Sequence, residues 1–354
     1  MQRGDKKTKG DLASQLKTRA TSKKVKATSE YEGDTSRMIS TGSTLLDLAI
    51  SGGRVRGGGI PSGILVEIFG PSSAGKTVLL CELAGAVQRL GGGVLFHDPE
   101  ARLNQQFAQI FNLDTNNMEY STPDTVTGVF TAVRDWDVKS GKGIINGVFA
   151  DSLAALSTDL EMDNKDGDKM GMRRAKEFSE QLRKTCRILT QKNLLMVCSN
   201  QIRENIDAGP YQQKYKSTGG EAIGFYASLR LRATRPEKIR EKVKVAGKEV
   251  TRVIGVETEF EVFKSSVWKP YRTAPLTILF DYGIDDIRQN LQFIKDYTKQ
   301  TMYTVDGQEL DVSMKKAIAI VESAGLASTL REQVIDLWES IESKFEQKRQ
   351  PKSR

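Results

Sequence analysis

Histidine and cysteine are scarce in this chain of 354 residues. The one histidine, His97, argues against a Ser-His-Asp hydrolase and against a His-rich metal site. The three cysteines, Cys81, Cys186 and Cys198, are odd in number and far apart, which excludes a disulfide scaffold and a zinc cluster. No run approaches the roughly 18 apolar residues of a membrane span. The basic start, MQRGDKKTKGDLASQ, lacks the apolar stretch of a secretory signal. These absences lead to the expectation of a soluble, cytoplasmic protein. Charge, by contrast, is plentiful. Lys and Arg number 53 against 45 Asp and Glu, a net charge of +8, which permits a polyanionic partner without requiring one. Hydrophobic residues make up 38%, enough to build a core, and the length suggests about two domains.

Residues 1–36 are polar, with nine basic residues and two acidic ones, Asp5 and Asp11, between Met1 and Lys26. They read as a basic arm, flexible or interface-forming. Alternation of strand-like and helix-like segments starts near residue 40. The apolar run Ile64 to Phe69 is followed by Leu79, Leu80, Leu83, Ala84, Val87 and Leu90 at helical spacing, stopped by Gly91-Gly92-Gly93. Val94 to Phe96, Ile144 to Ala150 and Leu194 to Ser199 are further buried-strand candidates. Residues 124–137 and Lys176 to Leu189 read as helices. Nearly continuous apolar strands alternating with helices predict an α/β fold with a mostly parallel central sheet flanked by helices. Later strands are expected at 226–233, 256–263 and 275–281, with a hairpin around Gly247 between the first two.

The pattern changes after about residue 284. Residues 286–299 and 312–324 read as helices, with a small hairpin at Asp306-Gly307 between them. Thr329-Leu330-Arg331-Glu332 matches a capping box, and Leu330, Val334, Leu337, Ile341 and Phe345 follow on one helical face. The division expected is an arm at 1–36, a core at 37–284, a small C-terminal α+β domain at 285–347 and a basic tail at 348–354.

The strongest signal is Gly70-Pro71-Ser72-Ser73-Ala74-Gly75-Lys76-Thr77, which satisfies G-x-x-x-x-G-K-[ST] between a strand and a helix. Glycine lets successive N–H groups face a phosphate, and the helix N-terminus adds partial positive charge. Lys76 would reach the β- and γ-phosphates, and the Thr77 hydroxyl would ligate Mg²⁺. Asp151, at the end of the run Gly147 to Ala150, would bring a second metal oxygen beside Thr77. Water activation calls for another carboxylate. His97-Asp98-Pro99-Glu100 follows a neighbouring strand, and position alone leaves Glu100 and Asp98 as rivals, with a slight preference for Glu100. His97 reads as a packing or surface residue.

With these segments in order, the chain resembles the RecA-type recombinases over residues 38 to 345. The resemblance rests on the P-loop, on Phe96 to Glu100, on Tyr120 to Thr125, on Asp151 to Leu156, on Asn200 to Arg203, on Thr218 to Gly220 and on Phe225 to Ser228. It implies that ATP and Mg²⁺ are the cofactors and that Glu100 activates water. Phe107 would lie over the adenine where the family usually has a Tyr, and Gln201 would sense the γ-phosphate. Two DNA-binding loops are implied, at about 158–174 and 201–220. The first is acidic in its first half, so Met170, Arg173 and Arg174 are its better contacts. The second offers Arg203, Ile206, Lys214, Lys216, Gly219 and Gly220. Basic side chains would neutralise phosphates, and Met170 and Ile206 would wedge between bases.

The resemblance further implies a helical filament with ATP between subunits. Lys264 would reach the neighbour's γ-phosphate and Phe225 would line the interface. The family commonly has a second lysine two positions on, where this chain has Ser266, so Lys269 or Arg272 would have to compensate. The divergent loops and the basic C-terminus point to an unusual member, such as one carried by a phage, acting at the nucleoid of a bacterial or phage-infected cell. The implied function is pairing of single-stranded DNA with homologous duplex and strand exchange, in recombination and repair. Two alternatives stand beside it: an ATP-liganded DNA-binding filament or mediator with little turnover, and a ring-forming helicase ATPase.

Overall fold

A computed structural model describes residues 37–139, 141, 143–159, 161, 170–204, 215–217, 221–346 and 349. The described residues all fall within one compact unit. Strands β1 (Met38–Ile39) and β2 (Ile60–Pro61) pair with each other ahead of the main sheet. Among the described residues the main sheet has eleven strands, β3 (Leu65–Gly70), β4 (Val94–His97), β5 (Glu119–Ser121), β6 (Asn146–Ala150), β7 (Leu194–Glu204), β8 (Tyr215–Ser217), β9 (Leu229–Ala233), β10 (Glu237–Val245), β11 (Lys248–Ser265), β12 (Thr273–Leu279) and β13 (Gly283–Ile284). Its order is β13-β12-β11-β9-β3-β7-β6-β4-β5, with β10 pairing β11 and β8 pairing β7. From β9 to β5 every neighbouring pair is parallel, and β11, β12 and β13 extend the sheet antiparallel.

Alternation along β3 sends its side chains into two different cores. Val66 and Ile68 pack with Leu79, Leu80 and Leu83 of the helix Lys76–Arg89. Leu65 faces the other way, with Val129 and Val133 of the helix Val126–Asp135 and with Phe178 and Leu182 of the helix Met170–Gln191. Burial on both faces explains why the parallel strands read as continuous apolar runs. One charged residue interrupts this pattern. Glu67, at the centre of β3, is fully buried and pairs with Arg230 of β9 at 2.6 Å.

The later strands include one more than the sequence expectation. The hairpin expected around Gly247 forms, joining β10 to β11, and β11 runs on through 256–263 into the main sheet. Ala246 and Gly247 both have positive φ, 49° and 82°, which suits a tight hairpin turn. The alternating charges of Glu237–Val245 therefore mark a separate, exposed strand.

After β13 come the helix Asp286–Thr298, the hairpin β14 (Thr304–Val305) and β15 (Gln308–Glu309), and the helices Met314–Ser323 and Ala327–Ser343. Their buried residues Val321, Leu330, Val334 and Ile335 join the same core as Leu48, Phe260 and Ile278. The capping box at Thr329 does not form. The helix begins at Ala327, after Leu326, which makes no side-chain cap, so Thr329 is already inside the first turn. Phe345 lies beyond the helix end and is 70% exposed, while Ile335 and Trp338 take the buried positions instead. The helix Thr44–Ser51, buried along its whole length, is capped by its own Ser43 and by Asp286. The Asp286 carboxylate accepts from the Thr44 N–H and the Thr44 hydroxyl, both at 2.7 Å.

Candidate nucleotide-binding site

The strand β3 ends at Gly70, the loop turns through Ser73 and Gly75 at φ 62° and 82°, and the helix starts at Lys76. Gly75 has two reasons to be glycine. Its backbone is left-handed, and a Cβ there would lie 2.4 Å from Cδ1 of Ile278 on β12. Two residues beyond Ile278, Phe280 is half-exposed. The Lys76 ammonium folds back over the loop, donating to the carbonyls of Pro71 at 2.6 Å and Gly70 at 3.1 Å. Burial lowers its pKa, and nearby Asp151 opposes that shift. A desolvated cation beside N–H groups at a helix start is a site for a polyphosphate.

Parallel pairing of β4 with β6 puts Ala150 opposite His97, so Asp151 leaves the sheet beside the phosphate loop. Its carboxylate accepts the Thr77 hydroxyl at 2.5 Å and, on the other oxygen, the Ser199 hydroxyl. Thr77 and Asp151 meet as the sequence led one to expect. Ser199 was missed; its signal was a polar residue closing the apolar run of β7. Among the described residues no group of three or more His, Cys, Asp and Glu could hold a metal. One carboxylate with hydroxyls suits Mg²⁺, which takes few protein ligands and shares itself with substrate phosphates.

Glu100 and Asp98 have different surroundings. Asp98 is buried and committed: one carboxylate oxygen accepts the Leu103 N–H at 2.8 Å and the Tyr120 hydroxyl at 2.9 Å. Glu100 lies at the site edge, with the Ser152 hydroxyl at 3.4 Å and an ion pair to exposed Arg102 at 2.6 Å. Ser152 follows Asp151, so Glu100 borders the Asp151 side of the site. His97 packs inside the sheet, its Nδ1 2.7 Å from the Ser121 hydroxyl, and burial pushes its pKa down to about 4. A neutral imidazole held in this way is a packing residue. Phe107 is half-buried on the helix Gln105–Ile110, edge-on to Phe111 with ring centroids 4.8 Å apart.

Gln201 stands in register beside Gly70, so the end of β7 flanks the start of the phosphate loop. The expected second DNA loop turns out to include strand: β7 runs to Glu204 and pairs with β8, setting Arg203 opposite Lys216. Ile206, Lys214, Gly219 and Gly220 lie outside the described residues, as do the side chains of Met170, Arg203 and Lys216. The first loop ends earlier than expected, because the helix Met170–Gln191 already includes Met170, Arg173 and Arg174. Arg173 is exposed, whereas the Arg174 guanidinium turns inward to the carbonyls of Ala154 at 2.6 Å and Leu153 at 3.4 Å.

Lys264 and Phe225 come together on one surface. The Lys264 ammonium donates to the carbonyls of Gly224 and Phe225, both at 2.9 Å, and the Phe225 ring is 75% exposed. Phe225 is therefore no core residue. Ser266 donates to the Ser228 carbonyl at 3.1 Å. Neither proposed substitute for a second lysine extends freely. Arg272 is paired with Glu342 and lies 4.2 Å over Trp268, and Lys269 lies 5.3 Å from the same ring centroid.

Among known families, the RecA N-terminal domain matches residues 17–285. Among solved structures, a crystal structure of the RadB recombinase is similar, with 19% sequence identity and a TM-score of 0.47 over 70% of this chain and 98% of that one.

Proposed function

The chain belongs to the RecA family, and we propose that it is an ATP-dependent recombinase that assembles as a helical filament on single-stranded DNA and exchanges strands with homologous duplex. The observation that carries this reading is the oxygen cluster of Thr77, Asp151 and Ser199 at the mouth of a P-loop, with Glu100 at its edge. ATP and Mg²⁺ would supply the anhydride bond and the charge that polarises it. The loop from Gly70 to Thr77 would hold the phosphates, with Lys76 released from the Gly70 and Pro71 carbonyls to meet them. Thr77 and Asp151 would hold the cation, Glu100 would take a proton from the attacking water, and Phe107 would face the base. Gln201 would report phosphate occupancy to the segment that follows β7. Arg173, Arg203 and Lys216 would neutralise DNA phosphates, with Lys214, Gly219 and Gly220 close to the backbone and Met170 and Ile206 between bases. Lys264 and Phe225 would face the next subunit. Residues 285–347 would act as a small C-terminal domain on this core.

One observation favours a second reading, in which ATP is an assembly ligand with little turnover. Lys264 is held by carbonyls of its own chain, and Ser266 places no charge where the family commonly has a second lysine.

The test is ATP hydrolysis with and without single-stranded DNA, alongside imaging of the same samples. Helical filaments with DNA-stimulated turnover and strand exchange are expected. Filaments with negligible turnover would select the assembly-ligand reading, and closed rings with unwinding would reject both. Lys76→Ala is expected to lose nucleotide-dependent assembly, and Arg203→Ala to weaken binding to all DNA sequences and flatten the salt slope.

A further inference from the structure

Four polar side chains stand in a row across four adjacent strands of a sheet that is otherwise apolar at its centre. Asn200 on β7 donates to the Glu67 carboxylate on β3 at 3.0 Å. Arg230 on β9 donates to the other Glu67 oxygen at 2.6 Å. Register pairing sets Glu67 beside Arg230 and Arg230 beside Lys264 of β11. Glu67 is wholly buried and the Arg230 side chain is 15% exposed. The guanidinium also lies 4.5 Å over the Phe69 ring and 5.3 Å from that of Phe263, and a Cβ on Gly224 would lie 3.0 Å from its Cζ. Gly224 is thus a place where the helix Glu221–Tyr226 and the Arg230 guanidinium approach closely, and a side chain there would press on the guanidinium.

Both ends of the row are informative. At one end the Asn200 side-chain oxygen accepts the Gln201 N–H at 3.0 Å, and Gln201 stands in register with Gly70, the first residue of the phosphate loop. At the other end Lys264 grips the carbonyls of Gly224 and Phe225 beneath the exposed Phe225 ring. A buried ion pair is a poor stabiliser, because desolvation cancels most of its attraction and apolar replacements of similar volume are often as stable. Its geometric demands are strict, however: moving one member leaves a buried charge without its partner. Glu67 therefore fixes the position of Asn200 relative to Arg230, and with it the end of β7 relative to the Phe225 surface.

We infer that Glu67 and Arg230 are positioning residues that couple the Gln201 end of β7 to the Lys264–Phe225 surface, so that events at the nucleotide and DNA side reset the face offered to a second copy of the chain. The inference rests on the recombinase reading above. It extends that reading by assigning the coupling to a buried pair that touches neither nucleotide nor DNA.

The experiment compares full-length wild type with Glu67→Gln, the double variant Glu67→Leu/Arg230→Met, and Lys76→Ala. Glu67→Gln keeps an acceptor for Asn200 and removes the charge facing Arg230. The double variant removes both charges together. Thermal midpoint, binding of a fluorescent ATP analogue, and turnover with and without oligo(dT) are measured. Both Glu67 variants are expected to fold and to bind the analogue like wild type, Glu67→Gln with a lower thermal midpoint because Arg230 loses its partner and the double variant close to wild type, while the ratio of DNA-stimulated to basal turnover falls about tenfold in both, within the usual range of coupling between sites. Lys76→Ala, by contrast, should lose turnover and analogue binding together. Wild-type stimulation in both Glu67 variants overturns the inference. Failure of both to fold also overturns it, since the pair would then be structural support. Absence of DNA stimulation in wild type defeats the recombinase reading itself, and the coupling falls with it.

Discussion

Thr77 and Asp151 are joined by a 2.5 Å hydrogen bond across 74 residues of sequence. Neither side chain needs to move far for both oxygens to face one cation. Asp151→Asn keeps the shape and removes the charge. A Mg²⁺ titration of turnover should show the half-maximal concentration rising about 10- to 100-fold, the equivalent of the ~1.5–3 kcal/mol of a hydrogen bond to a charged group. An unchanged titration would remove Asp151 from the metal site.

Glu100→Gln should separate chemistry from binding. Turnover is expected to fall about 10²- to 10⁴-fold, as for the loss of a general base, with nucleotide affinity retained. Asp98→Asn should do something different. It disturbs the bonds from Leu103 and Tyr120, so a stability loss on the order of 1–3 kcal/mol is expected in denaturant melts. If Asp98→Asn stops turnover in a stably folded protein while Glu100→Gln does not, the two roles are reversed.

Glu82, on the phosphate-loop helix, has its pKa raised from 4.5 to about 7, chiefly by burial, with Arg89 opposing. The folded state thus holds a proton that the unfolded chain releases from pH 4.5 upward. Its contribution to stability is most favourable below 4.5, declines as pH rises, and is a full penalty above about 7. Glu82→Gln should therefore raise the unfolding free energy at pH 8 by on the order of 1–3 kcal/mol, and change it little at pH 4. Parallel melting curves at the two pH values would refute this.

Phe225→Ala should leave the unfolding free energy within about 0.5 kcal/mol of wild type, because an exposed ring has little packing to lose. Sedimentation in the presence of nucleotide should nonetheless show weaker self-association. Loss of stability without loss of assembly would place Phe225 in the monomer's own packing.

The phosphate loop, Asp151 and the apolar strands were legible because each follows from local chemistry: a spacing of glycines, a strand terminus, a run of branched side chains. The strand order was not legible, since register between β3, β7 and β9 is set by contacts between distant segments. The different surroundings of Glu100 and Asp98 were not legible either, since the Tyr120 hydroxyl that bonds Asp98 is 22 residues away. Thr329 misled because its capping pattern is local, while Gly325, at φ 66°, had already turned the chain and Ala327 opened the helix. Ser199 and the inward turn of Arg174 depend on β7 and on the Leu153–Ala155 turn, which no short window contains.

The Asp286 cap on the helix Thr44–Ser51 ties the order of synthesis to the order of folding. That helix is buried throughout, yet the carboxylate that receives Thr44 lies 242 residues later in the chain. At about 5–20 residues per second, a ribosome needs roughly 12 to 48 s to deliver it. During that interval the nascent helix keeps its Thr44 N–H for water or a temporary partner, and its final capping waits on a residue in the last fifth of the polypeptide.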